Sequence, residues 1–285
     1  MFLRDQPTRS PPDTLERILI VNFNPSATET SGPQPFEPEI RRRRAAQIVQ
    51  VFRRHYGDQV LAIGYYGSVA KGTDGPYSDI EMQCVINGSG LENTYEWNAG
   101  PWKAEVNVQS RDVLLEEAAI IEGNWSITHG AYSHVLPVYD PDGFFEQLQS
   151  VVHSQPESKF QEAIKELIVG DILEQIGKVR NAWALGNPGY LPTLACELAR
   201  SGACLIGLAN RSLYSSASHM IAEALVLPEK PEGYQAICQM VTSGELSDPE
   251  KIVESANIFW GGVDDWAEAN GIRIVEQLDE LIGEV

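Results

Sequence analysis

The spacing of apolar positions along this 285-residue chain changes twice. Before Pro38 no period is sustained. Pro11-Pro12, Pro25, Pro33, Pro35 and Pro38, mixed with Ser and Thr, predict an extended or disordered tail over residues 1–38, with a short strand or helical turn at Arg17 to Phe23. A helical period then begins at Pro38-Glu39, with Ile40, Ala45, Ile48, Val51 and Phe52 on one face, and stops at Tyr56-Gly57-Asp58. Val60 to Gly64 enters a strand. A period of two follows: Ile80, Met82 and Cys84 take one side, Asp79 and Glu81 the other. Lys103-Ala104-Glu105-Val106-Asn107-Val108 repeats the alternation, and Tyr95-Glu96-Trp97 reads as its neighbour, joined through Asn98-Ala99-Gly100-Pro101. Arg111 to Ile121 is helical, and Pro137 to Gly143 is a strand closing into a turn.

From Ser158 onward only the helical period remains. Phe160, Ile164, Ile168, Ile172, Ile176, Val179 and Trp183 form an apolar stripe on one predicted helix from Lys159 to Ala184. Further helices are predicted from Pro192 to Arg211, Ser218 to Leu225, Glu232 to Thr242, Pro249 to Asn270 and Ile272 to Ile282. The expected fold is α+β. A mixed β-sheet domain with helices spans residues 39–157, and an α-helical bundle domain spans 158–285.

Composition narrows the partners. A formal net charge of −19 argues against a nucleic-acid partner and is compatible with a polycationic one. Cys84, Cys196, Cys204 and Cys238 show no Cys-x-x-Cys spacing and read as buried free thiols of a reducing compartment. No apolar run looks long enough for a bilayer, and Ile18-Leu19-Ile20-Val21 lacks the shape of a signal peptide. The expectation is a cytoplasmic protein with no membrane partner.

The strand pattern carries the chemistry. Asp79 and Glu81 project from one face, and two such carboxylates repel each other unless a cation neutralises them. Glu105 adds a third from a neighbouring strand, and such a trio can hold two Mg²⁺ ions for in-line displacement at phosphorus. Gly67-Ser68, opening a helical turn, aims free N–H groups outward as a phosphate cradle. Separately, a Gly-Ser turn is just a turn and an acidic pair just a solvated face; together they point to a metal–nucleotide site. Glu96 reads either as a carboxylate for a substrate ammonium or as the cross-strand partner of Lys103. The Arg41–Arg44 run reads as a solvated helix face, and His129 and His134 as structural. Asp171, Glu174, Lys178 and Asn181 form a polar stripe that by itself means a solvated face with an i, i+4 ion pair.

Gly67-Ser68, Asp79-Ile80-Glu81 and Glu105 together resemble the signature of the DNA-polymerase-β-like nucleotidyltransferase superfamily. The longer pattern resembles the kanamycin nucleotidyltransferase family, the aminoglycoside 4′-O-adenylyltransferases of antibiotic resistance. It comprises Tyr66-Gly67-Ser68, Thr73 to Met82, Glu96-Trp97, Trp102-Lys103, Glu105-Val106-Asn107 and Thr128-His129-Gly130. It continues through Leu167-Ile168-Val169, Glu174, Gly177-Lys178, Arg180-Asn181, Leu205 to Leu208, Ser216-Ala217-Ser218 and Ser243-Gly244, covering roughly Arg41 to Gly271.

The resemblance implies transfer of AMP from ATP, or of the nucleotide of another nucleoside triphosphate, to the 4′-hydroxyl of a kanamycin-type aminoglycoside. Asp79, Glu81 and Glu105 would hold two Mg²⁺ ions. Gly67, Ser68, Lys71, Lys178 and Ser216 would contact the triphosphate, and Glu174 would be the general base beside Lys178. Glu96, Lys103, Asp171 and Glu174 would face the antibiotic. A homodimer is implied, with an active site shared between subunits. Two departures stand out: the family has Arg at Lys71, and two glutamates at Gly170-Asp171. The rival readings are a nucleotidyltransferase for another hydroxyl acceptor, small molecule or protein, and a nucleotide-binding regulator without catalysis.

Overall fold

A computed structural model describes residues 32–98, 102–275 and 277–283; the Arg17–Phe23 element and most of the Asn98–Pro101 turn lie outside them. These residues form two compact units, one of residues up to Leu114 with Val135–Phe144, the other of Leu115–His134 with residues from Phe145 on.

In the first unit, Pro38 stands in the first turn of helix α1 (Pro38–Tyr56), where its missing N–H is no loss. Ala45, Ile48, Val49 and Phe52 bury one face of α1 against strands β1 (Val60–Tyr65), β2 (Ile80–Ile86) and β4 (Lys103–Ser110). Strand β3 (Glu92–Asn98) and the short β5 (Leu136–Tyr139) complete a five-stranded sheet in the order β3-β4-β2-β1-β5. The sheet is mixed: β2 runs parallel to β4, and the other pairs are antiparallel. Ile80, Met82, Cys84, Ala104, Val106 and Val108 point into the core under α1. Glu81 and Glu105 therefore emerge on the opposite face, since side chains alternate along a strand. A five-residue helix α2 (Gly67–Lys71) links β1 toward β2 and ends on Gly72 in the left-handed conformation.

The second unit is helical: α3 (Arg111–Ala118) leads into it, and α4 (Trp125–Thr128) and α5 (Gly130–Ser133) are single turns. Helix α6 (Phe144–His153) was not predicted, although Phe144, Phe145, Leu148 and Val152 are all buried at helical spacing. The predicted helix from Lys159 to Ala184 is corrected: α7 (Glu157–Leu167) and α8 (Glu174–Ala184) are separated by a π-helical segment, Ile168–Leu173. The reason is in the spacing. Phe160, Ile164, Ile168, Ile172 and Ile176 recur every four residues, and each such step overshoots a 3.6-residue turn by roughly 40°. The wider π turn takes up part of that drift. All five side chains are at most 4% exposed. Trp183, placed on the same stripe, is instead about half exposed.

Helix α9 (Leu191–Ala209) is the centre of this unit, with α10 (Met220–Val226), α11 (Tyr234–Ser243) and α12 (Pro249–Ala269) packed around it. A Cβ at Gly202 would meet Tyr234 and Phe259 at 2.6–2.8 Å, so glycine there permits the close approach of α11 and α12. By length and composition the helical stretch Pro188–Ala209 could cross a membrane, contrary to expectation, with a mean hydropathy of 1.2 over 18 of its residues; yet 61% of those 18 are buried, as a core helix requires. At the end of the chain the helix predicted over Ile272–Ile282 shrinks to α13 (Leu278–Gly283). The four cysteines are free, Cys84 and Cys238 buried, Cys196 and Cys204 only half-buried.

Candidate active site

The parallel register of β2 and β4 sets Glu81 opposite Glu105, and the antiparallel register of β3 and β4 sets Glu96 opposite Glu105 on the other side. Asp79 lies just ahead of β2. The first unit thus brings Asp79, Glu81, Glu96 and Glu105 onto one sheet face, with Gly67 beside them. Gly67 has φ +67° and lies so near Glu81 that a Cβ would run into that carboxylate, so only glycine serves here. Burial, then Asp79 and then Glu105 raise the Glu81 carboxyl to about 7, against the opposing pull of Lys103 and Lys71.

An ammonium stands among these carboxylates. Lys103 Nζ lies 2.6 Å from Glu96 Oε1, 3.6 Å from Glu105 Oε2 and 4.0 Å from Asp79 Oδ2. The hydrogen bond to Glu96 is the chief reason the Lys103 pKa is raised. The ion-pair reading of Glu96 is the one observed: it is the cross-strand partner of Lys103. As the side chains stand, no three His, Cys, Asp or Glu residues among the described ones are arranged to hold a metal ion. The donor set nevertheless fits a hard divalent cation. It consists of carboxylate oxygens delivered by two in-register strands, the hard donors such a cation takes.

Three side chains outside the predicted set hold this face together. Tyr66 Oη donates to Glu105 Oε1 at 2.8 Å, and Asn107 Nδ2 donates to the same oxygen at 3.0 Å and to Tyr66 Oη at 2.9 Å. Asn107 was detectable, two residues beyond Glu105 on the same polar face; the Tyr66 contact was not, because it crosses strands. Arg41 corrects the solvated-face reading of the arginine run. It is buried, pairs with Asp74, and donates to the carbonyls of Ser78 (3.0 Å), Gly75 (2.9 Å) and Pro76 (3.2 Å), bracing the loop that delivers Asp79. Its signal was its phase, one turn before Ala45 on the buried stripe of α1. Arg42, by contrast, is exposed in a surface pair with Glu39.

In the second unit Lys178 Nζ pairs with Glu174 Oε1 at 2.8 Å across one turn of α8, both well exposed. That bond raises the Lys178 pKa. Asp171 is exposed on the π segment before them. Ser216 Oγ lies 2.8 Å from Ser218 Oγ and 3.2 Å from His219 Nδ1, in the loop ahead of α10. His129 is buried between Trp125 and Tyr132, with burial lowering its pKa to about 4, as a structural histidine would be.

The sequence model of a family described as the KNTase C-terminal domain matches residues 142–273. An aminoglycoside nucleotidyltransferase (4′) from a Bacillus species is 42% identical over 241 residues, covering 85% of this chain and 95% of that protein. One of the same name from Staphylococcus aureus is 41% identical over the same shares. A solved nucleotidyltransferase-like protein from Exiguobacterium sibiricum is 12% identical with a TM-score of 0.47, covering 79% of this chain and 75% of that one.

Proposed function

The chain belongs to the aminoglycoside 4′-nucleotidyltransferase family, and on that premise we propose that it transfers AMP from ATP to the 4′-hydroxyl of kanamycin-type antibiotics, releasing pyrophosphate and conferring resistance. The observation that carries this reading is the register of Glu81 against Glu105, with Asp79 at the entrance of the same strand, in a chain spanning 95% of such a relative.

Asp79, Glu81 and Glu105 would hold two Mg²⁺ ions, which supply charge neutralisation at the transferred and leaving phosphates. Gly67 and Ser68 offer N–H and hydroxyl donors to the triphosphate, with Lys71, Lys178 and Ser216 reaching its oxygens. Lysine in place of the family's arginine at position 71 keeps the charge and gives up the bidentate fork. Glu174 takes the proton from the 4′-hydroxyl as that oxygen bonds to the α-phosphorus and the bond to pyrophosphate breaks. Its carboxylate pairs with Lys178 one turn along the same helix. Glu96, Lys103 and Asp171 face the antibiotic. An aminoglycoside ammonium can replace Lys103 Nζ on Glu96, because both are nitrogen cations of like size. The active form is a homodimer of the cytoplasm in which Glu174 and Lys178 come from the partner subunit.

Incubation with MgATP and kanamycin, beside an analogue lacking the 4′-hydroxyl, tests the reaction. Adenylyl transfer to kanamycin alone is the expected result. Pyrophosphate release without modification of either drug moves the reading to another hydroxyl acceptor. No release with any acceptor leaves a nucleotide-binding regulator. A fully active monomer under native mass measurement removes the shared site.

A further inference from the structure

We infer that Tyr66 and Asn107 are positioning residues that hold Glu105 by Oε1 and so turn Oε2 toward the cation; this rests on the metal-site reading above. Glu105 Oε1 accepts from two donors on the same side, Tyr66 Oη at 2.8 Å and Asn107 Nδ2 at 3.0 Å, which are themselves 2.9 Å apart. The other oxygen, Oε2, is the one that turns to Lys103 Nζ.

The donors are themselves fixed. Thr94 Oγ1 donates to Asn107 Oδ1 at 2.7 Å from the neighbouring strand, where Thr94 and Asn107 are register partners. The Glu105 carboxylate can accept but not donate, which leaves the amide only one way round, with its NH₂ toward Glu105 and its Oδ1 toward the Thr94 hydroxyl. Asn107 also donates to Tyr66 Oη, so the tyrosine proton is directed at Glu105. The tyrosine ring is buried, and its backbone N–H donates to the Glu81 carbonyl at 3.1 Å. One residue therefore ties the turn at Gly67 to both acidic strands. Partners of this kind fix ligand orientation, and losing one weakens metal binding or activity by about 10–100-fold.

The test is Mn²⁺ binding to the full-length protein, followed by the electron paramagnetic resonance of the free ion, for wild type, Tyr66→Phe and Asn107→Ala. Tyr66→Phe keeps the ring and removes only the donor. Its Mn²⁺ affinity should fall about tenfold with little change in Tm. Asn107→Ala should fall further, because it removes the donor to Glu105 Oε1 and the one that directs the Tyr66 proton. Wild-type Mn²⁺ affinity in both variants overturns the inference, including the case where only Tm drops, since a purely structural role predicts that result. A wild-type chain that binds no Mn²⁺ overturns the metal-site reading and this inference with it.

Discussion

Glu81 and Glu105 stand opposite each other across the parallel pair β2–β4, two like charges at one register position. Such an arrangement opposes folding unless a positive charge joins it. In this structure the joining charge is Lys103, close to Glu105, Glu96 and Asp79.

The first consequence is a pH dependence. Glu81 has its pKa raised from 4.5 to about 7, by burial first and then by Asp79 and Glu105. A raised acid binds more protons folded than unfolded, so its stabilising contribution is complete below about pH 4.5 and is lost as pH rises through about 7. The metal-free protein should lose up to about 3 kcal/mol from this group across that window, less whatever solvent screening removes. Glu81→Gln should flatten that part of the profile. Urea unfolding between pH 4.5 and 8, with chelator present, measures it.

A divalent cation held as proposed would compete with Lys103 for the same carboxylates. Lys103→Met should lower the Tm of the metal-free protein at pH 8. Added Mg²⁺ should then raise Tm by more in the variant than in wild type, because a ligand stabilises in proportion to its affinity for the folded state. Thermal unfolding over a Mg²⁺ series gives the comparison, and equal increments in the two proteins contradict it.

Arg41 is a stability prediction with a functional reach. Arg41→Met strands the Asp74 carboxylate and three carbonyls of residues 75, 76 and 78. Breaking a buried ion pair from one side costs about 3–5 kcal/mol. Denaturant unfolding should show a loss of that order, whereas Arg42→Met, at the exposed neighbour, should stay within about 0.5 kcal/mol.

Glu174→Gln separates chemistry from binding. The carboxamide keeps the shape and cannot accept the hydroxyl proton. Turnover should fall about 10²–10⁴-fold with ATP binding little changed. Steady-state rates together with nucleotide titration check this, and wild-type turnover would remove Glu174 from the base role.

Much of the sheet and the acidic face was legible because strands declare themselves by a local period. Ile80 to Cys84 and Ala104 to Val108 alternate cleanly, and Glu81 and Glu105 fall on the polar side of each. Features that depend on contacts between distant segments were not legible. The Tyr66–Glu105 bond joins residues 39 apart in the chain. Arg41 looked like one of four equivalent arginines until its carbonyl cage appeared, although its phase on α1 already separated it from Arg42. The π segment was misread for a different reason: a four-residue repeat suits a continuous helix over one or two turns, and the mismatch becomes visible only over five.

That segment also fixes the bearing of everything downstream on the same rod. Because the wide turn already holds the extra chain, inserting one further residue between Ile168 and Leu173 would swing the following turns by about 100° about the axis, whereas deleting one lets the segment tighten to an ordinary α turn. After an insertion Ile176 would leave its seat, and the Glu174–Lys178 pair would be aimed elsewhere. Length at this point is therefore constrained in one direction, and a one-residue insertion here should be worse tolerated than most substitutions.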